Sequence, residues 1–198
     1  RRHVRDRLLV DAAGAAGAEV RHGVTVTGLL RGRGGAVEGV VTRGPDGRRE
    51  ELRAALTIGA DGIRSVVAAE VAAPTLRHGA HVGATLYRYV EGVAATGYEW
   101  AYGDRAMAGL IPTHDGACVL FVSGAPARVQ ALRRTVGLDG TFAALLDAAG
   151  PRLVERVADA RVVSRTYGWS GVAGHVRRSH GPGWALVGDA GYFKDPAT

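Results

Sequence analysis

The sequence predicts an α/β fold in which one domain is interrupted by a second, built on an antiparallel sheet. Three observations predict it. Two short apolar runs, "LTIGA" at 56–60 and "WALV" at 184–187, each end on an aspartate beside glycine. Between them, from about residue 77, runs that alternate apolar and polar side chains follow one another as antiparallel strands do. Near residue 181 the chain returns to buried-strand texture, the pattern of a domain interrupted by another and not of two consecutive domains.

The elements follow in order. "RHVRDRLLVDAAGAAG" repeats apolar residues at Val4, Leu8, Ala12 and Ala15, a helical spacing, with Gly17 as its stop. Val24 and Val26 alternate in a first strand, and "AVEGVVTR" and "RREELRA" give two more, separated by the turns "GRGG" and "GPDG". Residues 25–53 therefore read as a small antiparallel meander. The run at 56–60 is short, apolar and glycine-bounded, which suits a strand buried on both faces. "SVVAAEV" starts a short helix. "HVGATLYRYVEG", "GYEWAYGD", "RAMAGLIPT" and "GACVLFVSG" are successive strands. "APARVQALRRTVG" and "GTFAALLDAAGPRLVERV" are helices, and "RVVSRTYGWSG" is a strand again.

Composition excludes several classes. At 198 residues, 46% hydrophobic and 22% charged, the chain has the make-up of an ordinary globular protein. No apolar run reaches the roughly 18 residues of a membrane helix, and the opening Arg-Arg-His lacks a signal core. The single cysteine, Cys118, cannot form an internal disulfide and sits in a strand-like run, compatible with a reducing cytoplasm. The net charge of +6 comes almost wholly from arginine, since Lys194 is the only lysine. These arginines are scattered in pairs and form no basic stripe interleaved with aromatics, so no nucleic-acid groove is expected. A basic surface attracting an anionic cofactor fits better.

The chemistry concentrates in "TIGADGIRS" (57–65) and "LVGDAG" (186–191). In open α/β sheets, ligands lie beyond the carboxyl ends of the strands. Glycine there admits a ligand close to the backbone, and a carboxylate can accept hydrogen bonds from sugar hydroxyls. Ordinary turn chemistry explains either motif alone. Together, with a β-rich block between them, they resemble the flavin-dependent aromatic monooxygenases of the para-hydroxybenzoate hydroxylase type. Asp61, Gly62 and Ser65 match that family's middle motif. Gly188, Asp189, Ala190 and Pro196 match its later Gly-Asp-Ala…Pro motif. "GLIPTHDG", with Pro112 before the Asp115-Gly116 turn, is similar to a strand of its substrate domain.

The resemblance implies a partial FAD-binding, Rossmann-like domain at 1–76 and 181–198, interrupted by an α+β substrate domain at 77–180 whose sheet lies over the flavin. It implies that Asp189 accepts a hydrogen bond from a ribityl or ribose hydroxyl of FAD. Gly188, Ala190 and Gly191 then lie near the pyrophosphate or flavin, and Asp61 and Gly62 support the pyrophosphate and an NAD(P)H donor. Arg2 and the backbone of Val26 lie beside the FAD. In that family NAD(P)H reduces the flavin, which then uses O₂ to oxygenate a small, usually aromatic, substrate; the resemblance assigns no catalytic residue. The family's opening GxGxxG is missing, since "GRGGAV" and "GPGWAL" both lack the third glycine. Ala68 stands where an arginine often follows the middle motif, and Gly191-Tyr192 where histidine is common. The resemblance thus implies an internal piece of a longer flavoprotein, lacking about the first hundred residues and inactive by itself. A reductase or halogenase on the same scaffold, and a non-catalytic binding module, are the alternatives.

Other constellations are weaker. His78 and His81 have no obvious third ligand, and His175 and His180 read as pointing in different directions on a helix, so no metal is expected. "GWSGV" misses the last glycine of a nucleophile elbow. Tyr87, Tyr89, Trp100, Tyr102 and Trp169 either line a substrate pocket or pack a core.

Overall fold

The computed structural model describes the backbone of residues 2–194 and the side chains of residues 3–194. Helix α1 (Arg2–Ala15) leads into β1 (Thr25–Arg31), β2 (Val37–Arg43), β3 (Arg49–Arg53), β4 (Thr57–Gly59), α2 (Val66–Glu70) and β5 (Thr75–His78). Next come β6 (Ala84–Glu91), β7 (Glu99–Gly103), β8 (Ala106–Pro112), β9 (Cys118–Gly124), α3 (Pro126–Ala149), α4 (Pro151–Arg156), β10 (Arg161–Val162) and β11 (Tyr167–Ser170). The chain finishes with β12 (His175–Arg177), β13 (His180–Gly181), β14 (Trp184–Leu186), a 3₁₀ turn (Gly188–Ala190) and β15 (Tyr192–Phe193). It forms two compact units. One is His81–Val172; the other joins Arg2–Ala80 to residues 173–194.

In the central unit, β6, β9, β8 and β7 are antiparallel neighbours, with β10 and β11 both paired on the outer edge of β6. Alternation sorts the two faces of the sheet. Leu86 and Val90 of β6, Ala108 and Leu110 of β8, and Leu120 and Val122 of β9 pack on Phe142, Leu145, Leu146 and Leu153 of the helices. Cys118 is buried in the same core, which pushes its thiol pKa up. The break expected between helices at 125–137 and 140–157 is present as a kink at Gly137, and a second division, not expected, falls at Gly150–Pro151. Gly150 at φ 131° ends α3, and Pro151, lacking an N–H, opens α4. Gly137 interrupts α3 internally at φ 70°.

The other unit holds three small sheets. β1, β2 and β3 form the expected antiparallel meander. β12 pairs with both β5 and β15, and β14 lies between β13 and β4. The β12–β5 ladder places 173–180 here, where the sequence puts them with the interrupting block. Its core is compact: Val37, Val67, Ala68, Trp184, Leu186 and Ala190. The expected two-sided burial of β4 is not found. Thr57 and Gly59 are buried, but Ile58 between them is 55% exposed. α2 and β2 cover only one face of β4 among the described residues.

Candidate cofactor site

β4 and β14 are parallel neighbours, with Thr57 opposite Trp184 and Gly59 opposite Leu186. The Val187 N–H donates to the Gly59 carbonyl at 3.0 Å, extending the ladder one residue further. Parallel pairing makes both strands finish at the same end of the sheet. Two turns separated by most of the sequence, Asp61-Gly62 and Gly188–Ala190, leave from that shared end.

The first turn is built around a helix cap. Asp61 Oδ2 accepts from the N–H groups of Val66 at 2.6 Å and Val67 at 3.2 Å. Ser65, the N-cap, accepts from Ala68 N–H at 2.9 Å through Oγ. The two side chains thus satisfy three of the donors that a helix start leaves orphaned. Partial burial pushes the Asp61 carboxyl upward. Hydrogen bonds from the Ser65 hydroxyl and from backbone N–H groups outweigh it and hold the pKa below the usual carboxylate value. A depressed folded pKa adds stability that is full above the unfolded value of about 3.9 and is lost as pH falls through the folded one. Asp61→Ala is therefore expected to cost about 1–2 kcal/mol in urea unfolding at pH 7. The difference from wild type should shrink steadily as the titration is repeated below pH of about 4. A constant difference down to pH of about 2 would contradict this role for the carboxylate.

The second turn is held from behind. His175 Nε2 donates to the Asp189 carbonyl at 3.3 Å, and Arg177 Nη1 to the Ala190 carbonyl at 2.7 Å. Arg177 N–H adds a bond to the Gly191 carbonyl at 2.8 Å. Residues i and i+2 of a strand point the same way, so one face of β12 supplies both side chains. Gly188 starts the turn at φ 58°, a left-handed conformation that glycine adopts without strain. Ala190 and Gly191 are buried, whereas Gly188 and Asp189 are exposed. The Asp189 carboxylate accepts no hydrogen bond from any described residue. An acidic side chain with no partner among the described residues stands on a turn whose carbonyls are anchored.

Beside the first turn, Arg64, Ser65, Thr75 and Arg177 line a shallow cleft of about 450 Å³ floored by alanines of α2. Val26 does not join this cluster. It is half-buried opposite Thr42 in the separate β1–β2 ladder. The Arg2 side chain and all of Pro196 lie outside the described residues.

Residues 3–131 match the family described as FAD binding domain. The chain belongs to this FAD binding domain family. Among curated proteins, this FAD-binding domain is similar to the digeranylgeranylglycerophospholipid reductase of Methanosarcina mazei, 28% identical, with all of the chain aligned to 47% of the relative. The reductase of Methanosarcina acetivorans is 27% identical with the same coverage. The chain thus spans about half the length of the curated relatives it matches. Among solved structures, the flavin-dependent brominase Bmp2 superposes with a TM-score of 0.86 at 19% identity, over 99% of this chain and 50% of that one. The myxobacterial chondrochloren halogenase CndH gives 0.82 at 23% identity, over 96% and 45%. Aklavinone-11 hydroxylase, solved with FAD and aklavinone, gives 0.68 at 23% identity, over 96% and 36%. The fold of the FAD-binding domain is therefore the mixed α/β, partly Rossmann-like arrangement with antiparallel sheets that the sequence predicts.

The sequence missed the two residues of this FAD-binding domain that anchor the second turn. His175 reads as helical, but it is a buried residue of strand β12. The sequence carried no usable signal for them, since three residues, "HVR", are too few to show a strand period.

Proposed function

We propose that this chain forms part of a flavin-dependent monooxygenase of the para-hydroxybenzoate hydroxylase type, which uses NAD(P)H and O₂ to oxygenate a small aromatic molecule. One observation carries the proposal. A parallel strand pair brings two Asp-Gly turns to one sheet end, and the carboxylate of one, Asp189, is exposed and without a partner among the described residues. The donor set suits FAD. An exposed carboxylate can accept from ribityl or ribose hydroxyls, and the first N–H groups of the 188–190 turn have no partner within a 3₁₀ turn. Gly188 leaves the backbone open on its side, with nothing within 4 Å of where a Cβ would stand.

In this assignment Asp189 binds the sugar hydroxyl, and Gly188, Ala190 and Gly191 approach the cofactor through backbone. His175 and Arg177 hold the turn's carbonyls and so fix the direction of the Asp189 side chain. Asp61 acts through the α2 cap, keeping Gly62 and the following turn in place. Arg64 and Arg177 give the adjacent cleft two guanidinium groups, suited to the phosphates of an NAD(P)H donor. Bound there, the flavin supplies the redox chemistry, taking electrons from NAD(P)H and using O₂ on the substrate. The lone buried thiol suits a reducing, cytoplasmic setting.

A reductase or halogenase on the same scaffold is the second reading, favoured by the curated reductases and by the brominase and halogenase folds. The test uses the intact polypeptide in which this chain occurs. It should purify yellow with about one FAD per chain, and aromatic compounds should stimulate NADPH oxidation with matching O₂ uptake. NADPH oxidation that continues without O₂ would favour the reductase. Turnover that requires bromide or chloride would favour the halogenase.

A further inference from the structure

Arg177 belongs to the surroundings of both turns. Its Nη1 donates to the Ala190 carbonyl at 2.7 Å, which ties it to the Gly188–Ala190 turn. It also lines the cleft beside the Asp61 turn, together with Arg64 and Thr75. Backbone bonds fix its place. The Arg177 N–H donates to the Gly191 carbonyl at 2.8 Å, and the Arg178 N–H to the Pro74 carbonyl at 2.9 Å. β12 is thereby held between β15 and β5. The β12–β5 ladder is irregular at this residue. Val176 lies opposite Arg77, but Arg177 lies opposite Thr75, so Leu76 is left over as a bulge. Bulges re-aim the side chains beside them, and here Arg177 and Thr75 stand together at the cleft wall.

We infer that a phosphate-bearing anion in this cleft and FAD on the turn strengthen each other's binding through the Arg177 guanidinium. The inference rests on the cofactor and donor assignments proposed above and adds a coupling between their two sites. A guanidinium presents five N–H donors in a rigid planar fork. The Ala190 carbonyl is the only acceptor the Arg177 side chain meets among the described residues. The remaining donors can hold an oxyanion without releasing that carbonyl, so the two ligands share the residue and do not compete for it. Charge favours the same outcome. Among the described residues, neither Arg64 nor Arg177 is ion-paired with a carboxylate, so the positive charge of the cleft is not neutralised. The floor, Ala68, Ala69, Ala72 and Ala73, adds neither an acid nor bulk. The coupled element is the turn, with its bond to Arg177 made or broken. An anion that fixes the guanidinium favours the tied turn, which presents Asp189 to the cofactor. FAD favours the tied turn as well, and ordering an arginine side chain costs entropy that the second ligand no longer meets. Such coupling is reciprocal.

The test titrates FAD into the apoprotein of the intact polypeptide, with and without inorganic phosphate, at an ionic strength held constant with chloride. Phosphate is the probe because it has no ring to stack on the flavin. It should tighten FAD binding about three- to tenfold, and FAD should tighten phosphate binding by the same factor in calorimetry. Arg177→Lys keeps the charge but replaces the fork with a point. Its urea curve shows that it folds, and phosphate should change its FAD affinity by less than about twofold. Arg64→Gln should raise the phosphate concentration for half the effect at least about fivefold. The inference is overturned if phosphate leaves wild-type FAD affinity unchanged or weakens it. An undiminished effect in Arg177→Lys, or an unshifted half-effect in Arg64→Gln, overturns it too. Coupling in a polypeptide that does not oxidise NADPH would uphold the inference and remove the NAD(P)H assignment. Stimulated NADPH oxidation without coupling would do the reverse, and a polypeptide that binds no FAD would end both.

Discussion

Asp189→Ala is expected to weaken FAD binding of the intact polypeptide by about 10- to 100-fold while leaving its unfolding curve nearly unchanged. The affinity estimate follows from losing a hydrogen bond to a charged acceptor, about 1.5–3 kcal/mol. The neutral effect on folding follows from the structure. The side chain is exposed and accepts from no described residue, so its removal orphans nothing. Asp189→Asn keeps one acceptor oxygen and should fall between wild type and alanine. Reconstitution of the apoprotein, followed by quenching of free-flavin fluorescence, measures both variants. Full FAD affinity in Asp189→Ala would remove this residue from the cofactor site. The control is His175→Ala, which loosens the turn from behind. It should lower both FAD affinity and stability, because His175 is buried and its bond to the Asp189 carbonyl is lost.

Phe142→Ala should cost about 3–5 kcal/mol of stability, the largest effect expected anywhere in the molecule. Phe142 is fully buried at the centre of the core between α3 and the sheet. Its ring also does a second job. The Arg88 guanidinium, carried on the helix side of β6, lies 4.1 Å over the ring, and Arg88 Nε is buried without a hydrogen-bond partner among the described residues. Burial lowers the Arg88 pKa, with Asp139 opposing that shift electrostatically. Alanine would therefore leave a cavity and strip a desolvated cation of its aromatic partner at once. Arg88→Met, which fills similar volume without charge, should recover part of the loss in the Phe142→Ala background. Coincident urea curves by fluorescence and circular dichroism would measure it. A loss under about 1 kcal/mol would mean that the core collapses around the site.

Much of this could be read from the chain. The strand-end aspartates were legible because glycine and aspartate concentrate where buried strands turn. Alternation identified β6, β8 and β9, and helical spacing identified α1 and the α3–α4 region. The β5–β12–β15 sheet was not legible, because strands of two to four residues carry too few side chains to show a period. His175 and Arg177 stayed hidden for the same reason, since β12 is only three residues long. One-sided exposure of β4 was equally out of reach. An apolar run states that burial is affordable, and only the neighbours decide whether it happens.

The sequence by itself determined which residue types meet at each turn, acid beside glycine after two apolar strands, and placed aromatics two apart at Tyr87 and Tyr89, Trp100 and Tyr102, and Tyr167 and Trp169. These are local matters of backbone preference and side-chain period. Only the tertiary structure decided that β4 and β14 run parallel as neighbours, bringing Asp61 and Asp189 to one end. It alone set the register that lines up Tyr167, Tyr87, Phe121 and Trp100. Pairing partner and register depend on contacts between distant segments, and a one-residue slip would turn each ring to the opposite face while leaving every local preference satisfied.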